Sequence, residues 1–277
     1  MKKKTIGVVI SQKMIAPAIY DLWIKTDLAR DAKPGQFVGV FPKDKSTLLP
    51  RPISICEVNE DKAALRLVYR IAGQGTAEFS KWNAGEEVAL LGVLGNGFPL
   101  EKAQGKRVFL MGGGIGIPPM LELAKALSPG AAKGLDAGTD ESTASKEGAA
   151  KVCSIMGYRD AQTFLRPDLE QYGEVVIATE DGSVGTKGNV MDAIRENALT
   201  ADVIFACGPM PMLRAIKAYA AEQGIPAYIS LEEHMACGVG ACLGCVVKTK
   251  EVDHHSHVNN ARICTDGPVF EAGEVEI

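Results

Sequence analysis

Apolar residues fall along this chain in two rhythms. Over the first hundred residues they come in short runs: TIGVVI (5–10), PAIYDLWIKT (17–26), GQFVGVF (35–41), PISICEV (52–58), ALRLVYRI (64–71) and EVALLG (87–92). The runs are rich in β-branched and aromatic residues, and LRLVYRI partly alternates apolar with polar positions. Turn signals such as KPGQ and NAGEE separate them, which predicts strands. Six short strands at this spacing predict a small barrel. One short helix is expected at GTAEFSKW (75–82), with Thr76 as its cap.

Past residue 105 the period lengthens. KRVFLMG (106–112), KVCSIMG (151–157), EVVIAT (174–179) and ADVIFAC (201–207) read as strands. IPPMLELAKAL (117–127), NVMDAIREN (189–197) and PMLRAIKAYAAEQG (211–224) read as helices. Strands alternating with helices predict a doubly wound parallel sheet. The expected organisation is therefore multidomain, β followed by α/β: a barrel over 1–100, an α/β domain over 101–228, and a cysteine-bearing segment with few regular signals over 229–277. The stretch 128–150 holds one leucine and no aromatic residue. It buries too little apolar surface to offset its ordering entropy, so a mobile insertion is expected there.

Composition narrows the class. The chain has 277 residues and a formal net charge of −4, with no basic tract beyond Lys2–Lys4. This argues against nucleic acid as a partner. The apolar run after those lysines is too short for a signal peptide, and the longest apolar run, 108–121, is broken by glycine and proline. A cytoplasmic protein away from membranes is expected. Seven cysteines in such a chain point to metal or redox use rather than a disulfide framework.

Four of them are clustered: Cys237-x4-Cys242-x2-Cys245, then Cys264. The triplet has the plant-type [2Fe–2S] spacing, with a distant fourth ligand. Gly238, Gly240 and Gly244 allow positive φ angles and close approach of backbone N–H groups to sulfur. Structural zinc is the alternative, but four-cysteine zinc sites usually come from two short pairs, whereas here a triplet faces a single cysteine. His254, His255 and His257 read as an exposed polar loop, and His234 as a surface residue.

Other signals suggest nucleotides. Arg51 in RPISI is placed to meet a pyrophosphate, and Ser54 to bond a flavin. VYR (68–70) and GQGT (73–76) add Arg70 and a helix start at Gly75 and Thr76, where phosphate is favoured. MGGGIGIPPM (111–120) links a strand to a helix. It departs from G-x-G-x-x-G and reads better as Gly114-x-Gly116-x-x-Pro119. CGPMPML (207–213) follows another strand, so Cys207 and Gly208 lie at a strand's carboxyl end, where open α/β sheets bind ligands.

RPIS, GVLGNGF (92–98), GGGIGIPPM and CGPMPM, in that order, resemble the ferredoxin–NADP reductase superfamily over residues 1–230. With EEHMACGVGACLGCVVKT and ICTDGPVF, the whole chain resembles the electron-transfer subunits of class 1B dihydroorotate dehydrogenases. The resemblance implies an FAD-binding barrel, an NAD-binding domain and a [2Fe–2S] segment. It carries FAD contacts onto Arg51, Pro52, Ile53, Ser54, Val68, Tyr69, Arg70, Gly75 and Thr76, and cluster ligation onto Cys237, Cys242, Cys245 and Cys264. Many superfamily members stack a tyrosine on the flavin where this chain has Ile53, so Tyr69 is the expected substitute. The resemblance also implies electron passage between NADH and the FMN of a separate catalytic subunit in pyrimidine biosynthesis, in an assembly of two copies of each chain. No catalytic acid or base is expected, because the cofactors carry the chemistry. The chain lacks room for a further barrel of about 250 residues to hold that FMN. Small flavin subunits of ferredoxin-dependent transhydrogenases or sulfide dehydrogenases share this layout and remain an alternative, as does a zinc-stabilised adaptor. NADH over NADPH is expected from the family. Arg159 would attract a 2′-phosphate and Asp160 would repel one.

Overall fold

The computed structural model describes residues 3–128, 148–252 and 257–277. The expected mobile insertion falls largely on 129–147, outside them, as do His254 and His255. Contacts divide the chain into two compact units: Met1–Gly97 together with Ile229–Ile277, and Phe98–Tyr228.

In the first unit six strands close an antiparallel barrel. They are β1 (Lys3–Ala16), β2 (Ile19–Lys25), β3 (Phe37–Phe41), β4 (Arg51–Val58), β5 (Ala64–Arg70) and β6 (Glu87–Leu94), in the spatial order β1-β2-β5-β4-β3-β6. Period-two alternation fills the interior. In β6 the buried set is Val88, Leu90, Gly92 and Leu94. Val88 and Leu90 pack with Leu22, Ile24, Val38, Val40, Ile55, Leu65, Leu67, Phe79 and Trp82 in the barrel core. Phe79 closes helix α1 (Gln74–Phe79).

The cysteine segment, which the sequence leaves without regular signals, forms an antiparallel hairpin. Its strands are β13 (Val246–Lys248) and β14 (Asn260–Arg262), and a short strand β15 (Val269–Glu271) follows. Three-residue strands are too brief to show a period, so no sequence pattern announces them.

The second unit is an α/β sheet. Its strands β7 (Arg107–Gly113), β8 (Lys151–Tyr158), β9 (Glu174–Thr179), β10 (Thr186–Lys187) and β11 (Val203–Cys207) run parallel. Their order is β10-β9-β8-β7-β11, with β12 (Ala227–Ser230) beside β11. Helices α2 (Pro118–Leu127), α4 (Val190–Glu196) and α5 (Met210–Gln223) pack on the strands, and a single turn, α3 (Arg166–Leu169), lies against α2. After β7 the chain winds to one side through β8, β9 and β10, then returns to place β11 on the other. The switch point therefore lies between β7 and β11.

Candidate functional site

The barrel opens at one place. β4 pairs with β5 only from Ile55–Leu67 to Val58–Leu65. Beyond Ile55 the backbone of Arg51–Ser54 continues on β3 alone, and beyond Leu67 that of Val68–Arg70 continues on β2 alone. Two strand edges thus diverge, and they are the residues onto which the family resemblance carries FAD contacts. Backbone N–H and C=O groups on such edges need partners, which a flat, polar-rimmed isoalloxazine can provide. Arg51 lies across the start of α1, where a Cβ on Gly75 would sit 2.8 Å from the Arg51 Nε. Glycine there leaves the Arg51 side chain its path. The guanidinium donates to the Leu49 carbonyl at 2.6 Å, which fixes its direction.

Two expectations for this region need correction. Thr76 is not the cap of α1. Gly73 takes that position, and Thr76, three residues on, accepts from the N–H groups of Ala72 and Gly73 and donates to the Gly73 carbonyl. The hydroxyl is therefore already engaged within the turn. Tyr69 does not offer its ring to a ligand. It is 2% exposed inside the barrel, stacked on Tyr20 and edge-on to Phe79, and its hydroxyl donates to Gln12 Oε1 at 2.8 Å. Burial pushes the phenol well above its usual range. Period two decides this, because Tyr69 shares the inward face with Leu65 and Leu67. Val68 is buried, whereas Arg70 is exposed at the strand end.

In the second unit the switch point brings Gly114, Gly116, Cys207 and Gly208 together. A Cβ on Gly116 would strike the Cys207 carbonyl, and one on Gly208 would lie 3.1 Å from the Gly113 nitrogen. The two loops pack backbone to backbone, which needs glycine on both sides. The crevice lies where open α/β sheets bind ligands. Helix α2, however, opens with Pro118 and Pro119, which carry no N–H, so the helix start offers little to a pyrophosphate. The Cys207 thiol is buried at 1% exposure. At the carboxyl ends of β8 and β9, Arg159 stands among Asp160, Glu180 and Asp181. Hydrogen bonds from Ser183 hold the Asp181 carboxyl below its usual range, so it stays charged.

The cysteine loop is organised around its sulfurs. Val239 N and Cys242 N each donate to Cys237 Sγ at 3.4 Å, and Gly244 N donates to Cys242 Sγ at 3.4 Å. Gly238 and Gly240, at φ 67° and 82°, supply the left-handed turns that aim these N–H groups inward. Burial works against a Cys237 thiolate, but the donors from Val239, Cys242 and Ala241 outweigh it and bring the thiol down to about 6. Cys264 is driven the other way, to about 11, first by burial and then by the adjoining Cys245 and the nearby Cys237. The side chains pair as Cys237 with Cys242 and Cys245 with Cys264.

Among the described residues, no three His, Cys, Asp or Glu side chains are set to grip one ion. Two sulfur pairs are the arrangement that a two-iron cluster requires, two thiolates to each iron. The donors and crowded thiols also suit a centre that brings positive charge and accepts hydrogen bonds at sulfur. The sequence did not reveal Arg262. It donates to both Asp266 oxygens and reaches the Gly240 carbonyl at 3.5 Å, tying the triplet loop to the turn after Cys264. No spacing rule points to it. His234 and His257 are exposed.

Known proteins agree with this geometry. The profile of the iron-sulfur cluster binding domain of dihydroorotate dehydrogenase B matches residues 232–276. The chain is 41% identical over 279 residues, covering 99% of both chains, to a Geobacillus sp. (strain WCH70) protein called dihydroorotate dehydrogenase B (NAD(+)), electron transfer subunit. A Streptococcus mutans protein with the same description is 39% identical over 96% of both chains. Among solved structures, the NADH-dependent reduced ferredoxin-NADP oxidoreductase studied for flavin-based electron bifurcation aligns with a TM-score of 0.80 and 25% identity. That alignment covers 98% of this chain and 90% of that one. A ferredoxin NADP+ reductase from Neisseria gonorrhoeae with bound FAD and NADP shares the fold, at a TM-score of 0.61 and 18% identity over 84% and 95% of the two chains.

Proposed function

The chain belongs to the family of dihydroorotate dehydrogenase B electron-transfer subunits, and on that premise we propose that it carries electrons between NADH and the FMN of a dihydroorotate dehydrogenase catalytic subunit, using FAD in the barrel and a [2Fe–2S] cluster on Cys237, Cys242, Cys245 and Cys264. The observation that carries the reading is the four cysteine side chains meeting in two pairs, with backbone N–H groups aimed at their sulfurs. When bound, a flavin exchanges hydride with a nicotinamide and single electrons with an iron–sulfur centre, chemistry that no side chain supplies.

The chain's own residues bind and orient. Arg51, held by the Leu49 carbonyl over Gly75, presents positive charge for the FAD pyrophosphate. Pro52, Ile53 and Ser54 on one diverging edge, and Val68, Tyr69 and Arg70 on the other, offer backbone groups to the ring system and its ribityl chain. Tyr69 does so through its backbone alone. Gly75 and Thr76 keep the pyrophosphate turn close and closed on itself. Gly114, Gly116, Cys207 and Gly208 line the nicotinamide crevice, with Cys207 acting as a small packed residue. Asp160, Glu180 and Asp181 at the outer strand ends repel a 2′-phosphate and so favour NADH. Val239, Ala241, Cys242 and Gly244 donate N–H groups that stabilise ligand charge.

Among the described residues no helix is long and apolar enough to cross a membrane. A reducing cytoplasm, where thiols stay available for metallation, suits the ligand set. The structural likeness to the bifurcating oxidoreductase favours one second reading, a flavin subunit of that kind. The partner separates the two.

The test is anaerobic purification from native cells, with metal analysis, visible spectroscopy and EPR after NADH addition. The reading expects bound FAD, about two irons per chain, flavin bleaching by NADH, a reduced [2Fe–2S] signal and a co-purifying FMN protein. Zinc without flavin would overturn it in favour of the adaptor. A co-purifying flavoprotein with its own iron–sulfur clusters would favour the second reading.

A further inference from the structure

The GVLGNGF motif at 92–98 holds none of the residues assigned above to FAD or NADH, yet its position in the fold is specific. It follows the last barrel strand, and its residues reach both ends of the cysteine loop. On one side, the buried Leu94 supports Gly238: a Cβ there would lie 3.2 Å from Leu94 Cδ1, directly beside Cys237. On the other, Asn96 clasps the turn that follows Cys264. Its backbone N–H donates to the Gly267 carbonyl at 2.7 Å. Its side-chain Nδ2 donates to the carbonyls of Asp266 at 3.1 Å and Val269 at 2.8 Å, while its Oδ1 accepts from Val269 N at 3.1 Å.

One asparagine thus satisfies four backbone groups on Asp266–Val269, in the manner of a strand neighbour. Two of these groups, the N–H and C=O of the buried Val269, depend on the Asn96 side chain and would lose their partner without it. Gly95 completes the device. At φ 81°, a Cβ there would collide with Pro268, so the close approach admits only glycine. Arg262, paired with Asp266 and in contact with the Gly240 carbonyl, then transmits the clasp to the triplet.

We infer that Asn96 is a positioning residue for the cluster: it fixes the turn after Cys264 to the barrel, and so sets where the Cys245–Cys264 pair stands relative to Cys237 and Cys242. The inference rests on the ligand assignment proposed above. Outer-shell partners of metal ligands act on the metal without touching it.

The test uses the anaerobically purified complex carrying Asn96→Ala, or Asn96→Asp, which keeps the acceptor and loses both side-chain donors. The readouts are FAD content, the EPR line shape of the reduced cluster and the rate of iron loss to a chelator. Expected are FAD content at the wild-type level, a shifted or broadened EPR signal, and iron loss faster by about tenfold or more, with Asn96→Asp at least as affected as Asn96→Ala because its second oxygen would face the Asp266 and Val269 carbonyls. An unmoved signal and unmoved iron loss in both variants would overturn the inference. So would parallel loss of flavin and iron in both, including failure to fold, which would make Asn96 a general support of the barrel. Wild-type protein without a [2Fe–2S] signal would instead refute the ligand assignment, and the positioning role with it.

Discussion

Replacing Arg66 by methionine tests whether an ion network sets where the barrel opens. Arg66 on β5 donates from Nε and Nη2 to the two oxygens of Asp21 on β2, each at 3.0 Å, and from Nη1 to Glu57 on β4 at 3.0 Å. Three neighbouring strands are therefore laced together one residue from Leu67, where β4–β5 pairing ends. The Asp21 side chain is 1% exposed, and its other cation, Lys13, stands 3.7 Å away with its side chain 71% exposed. An exposed partner of that kind contributes about 0–1 kcal/mol, so almost all compensation for the buried carboxylate comes from Arg66. Removing one partner of a buried pair typically costs about 3–5 kcal/mol. At roughly 2–4 °C per kcal/mol for a unit of this size, the melting temperature should fall by about 10 °C. Because β4 and β5 lose their tie beside the FAD edges, FAD release should accelerate as well. The assay is thermal unfolding of the FAD-loaded protein, followed by circular dichroism and flavin fluorescence. The double variant Arg66→Met/Asp21→Leu removes the buried pair and leaves Glu57, whose side chain is 18% exposed, without its cation, so it should recover part of the loss, since apolar replacement of a buried pair is often neutral. A single-variant loss under about 1 kcal/mol, or a double variant no better than the single, would refute the argument.

Three further outcomes are expected. Arg51→Ala removes the charge over Gly75 and should weaken FAD binding by about 1.5–3 kcal/mol, roughly 10–100-fold in equilibrium dialysis, with iron content retained. Gly116→Ala forces a methyl against the Cys207 carbonyl; an overpacking cost of about 1–3 kcal/mol should appear as roughly a tenfold rise in KM for NADH, while FAD and iron stay bound. Hydrogen bonds from the Arg107 side chain and backbone hold the Asp202 carboxyl down at about 2. A depressed carboxylate stabilises above its unfolded value and loses that contribution as pH falls through the folded one. Wild type and Asp202→Asn should therefore differ most in melting temperature near neutral pH and converge between about pH 4 and pH 2; a gap that widens on acidification would contradict this.

Local chemistry was legible in the chain wherever a single segment carries it. The triplet of cysteines names its ligand type through spacing, because three thiolates on one loop can reach one small cluster. The partial alternation within LRLVYRI marks β5, and the glycines at 114 and 116 mark the turn after β7, because each reports the backbone it must adopt. What the sequence left open are relations between segments. Tyr69 looked available for stacking until the barrel's inward face claimed its ring. Thr76 looked like a cap until the cap fell three residues earlier, at Gly73, and turned the hydroxyl back on Ala72 and Gly73. The hairpin of β13 and β14, the reach of Arg262 to Gly240 and the clasp of Asn96 on Val269 join residues up to 173 positions apart. Residue types and their local order determined which groups could bind metal and nucleotide. Barrel closure, strand divergence and the docking of the last segment decided which of those groups meet, because contact across such separations depends on the packed fold and leaves no period or spacing along the chain.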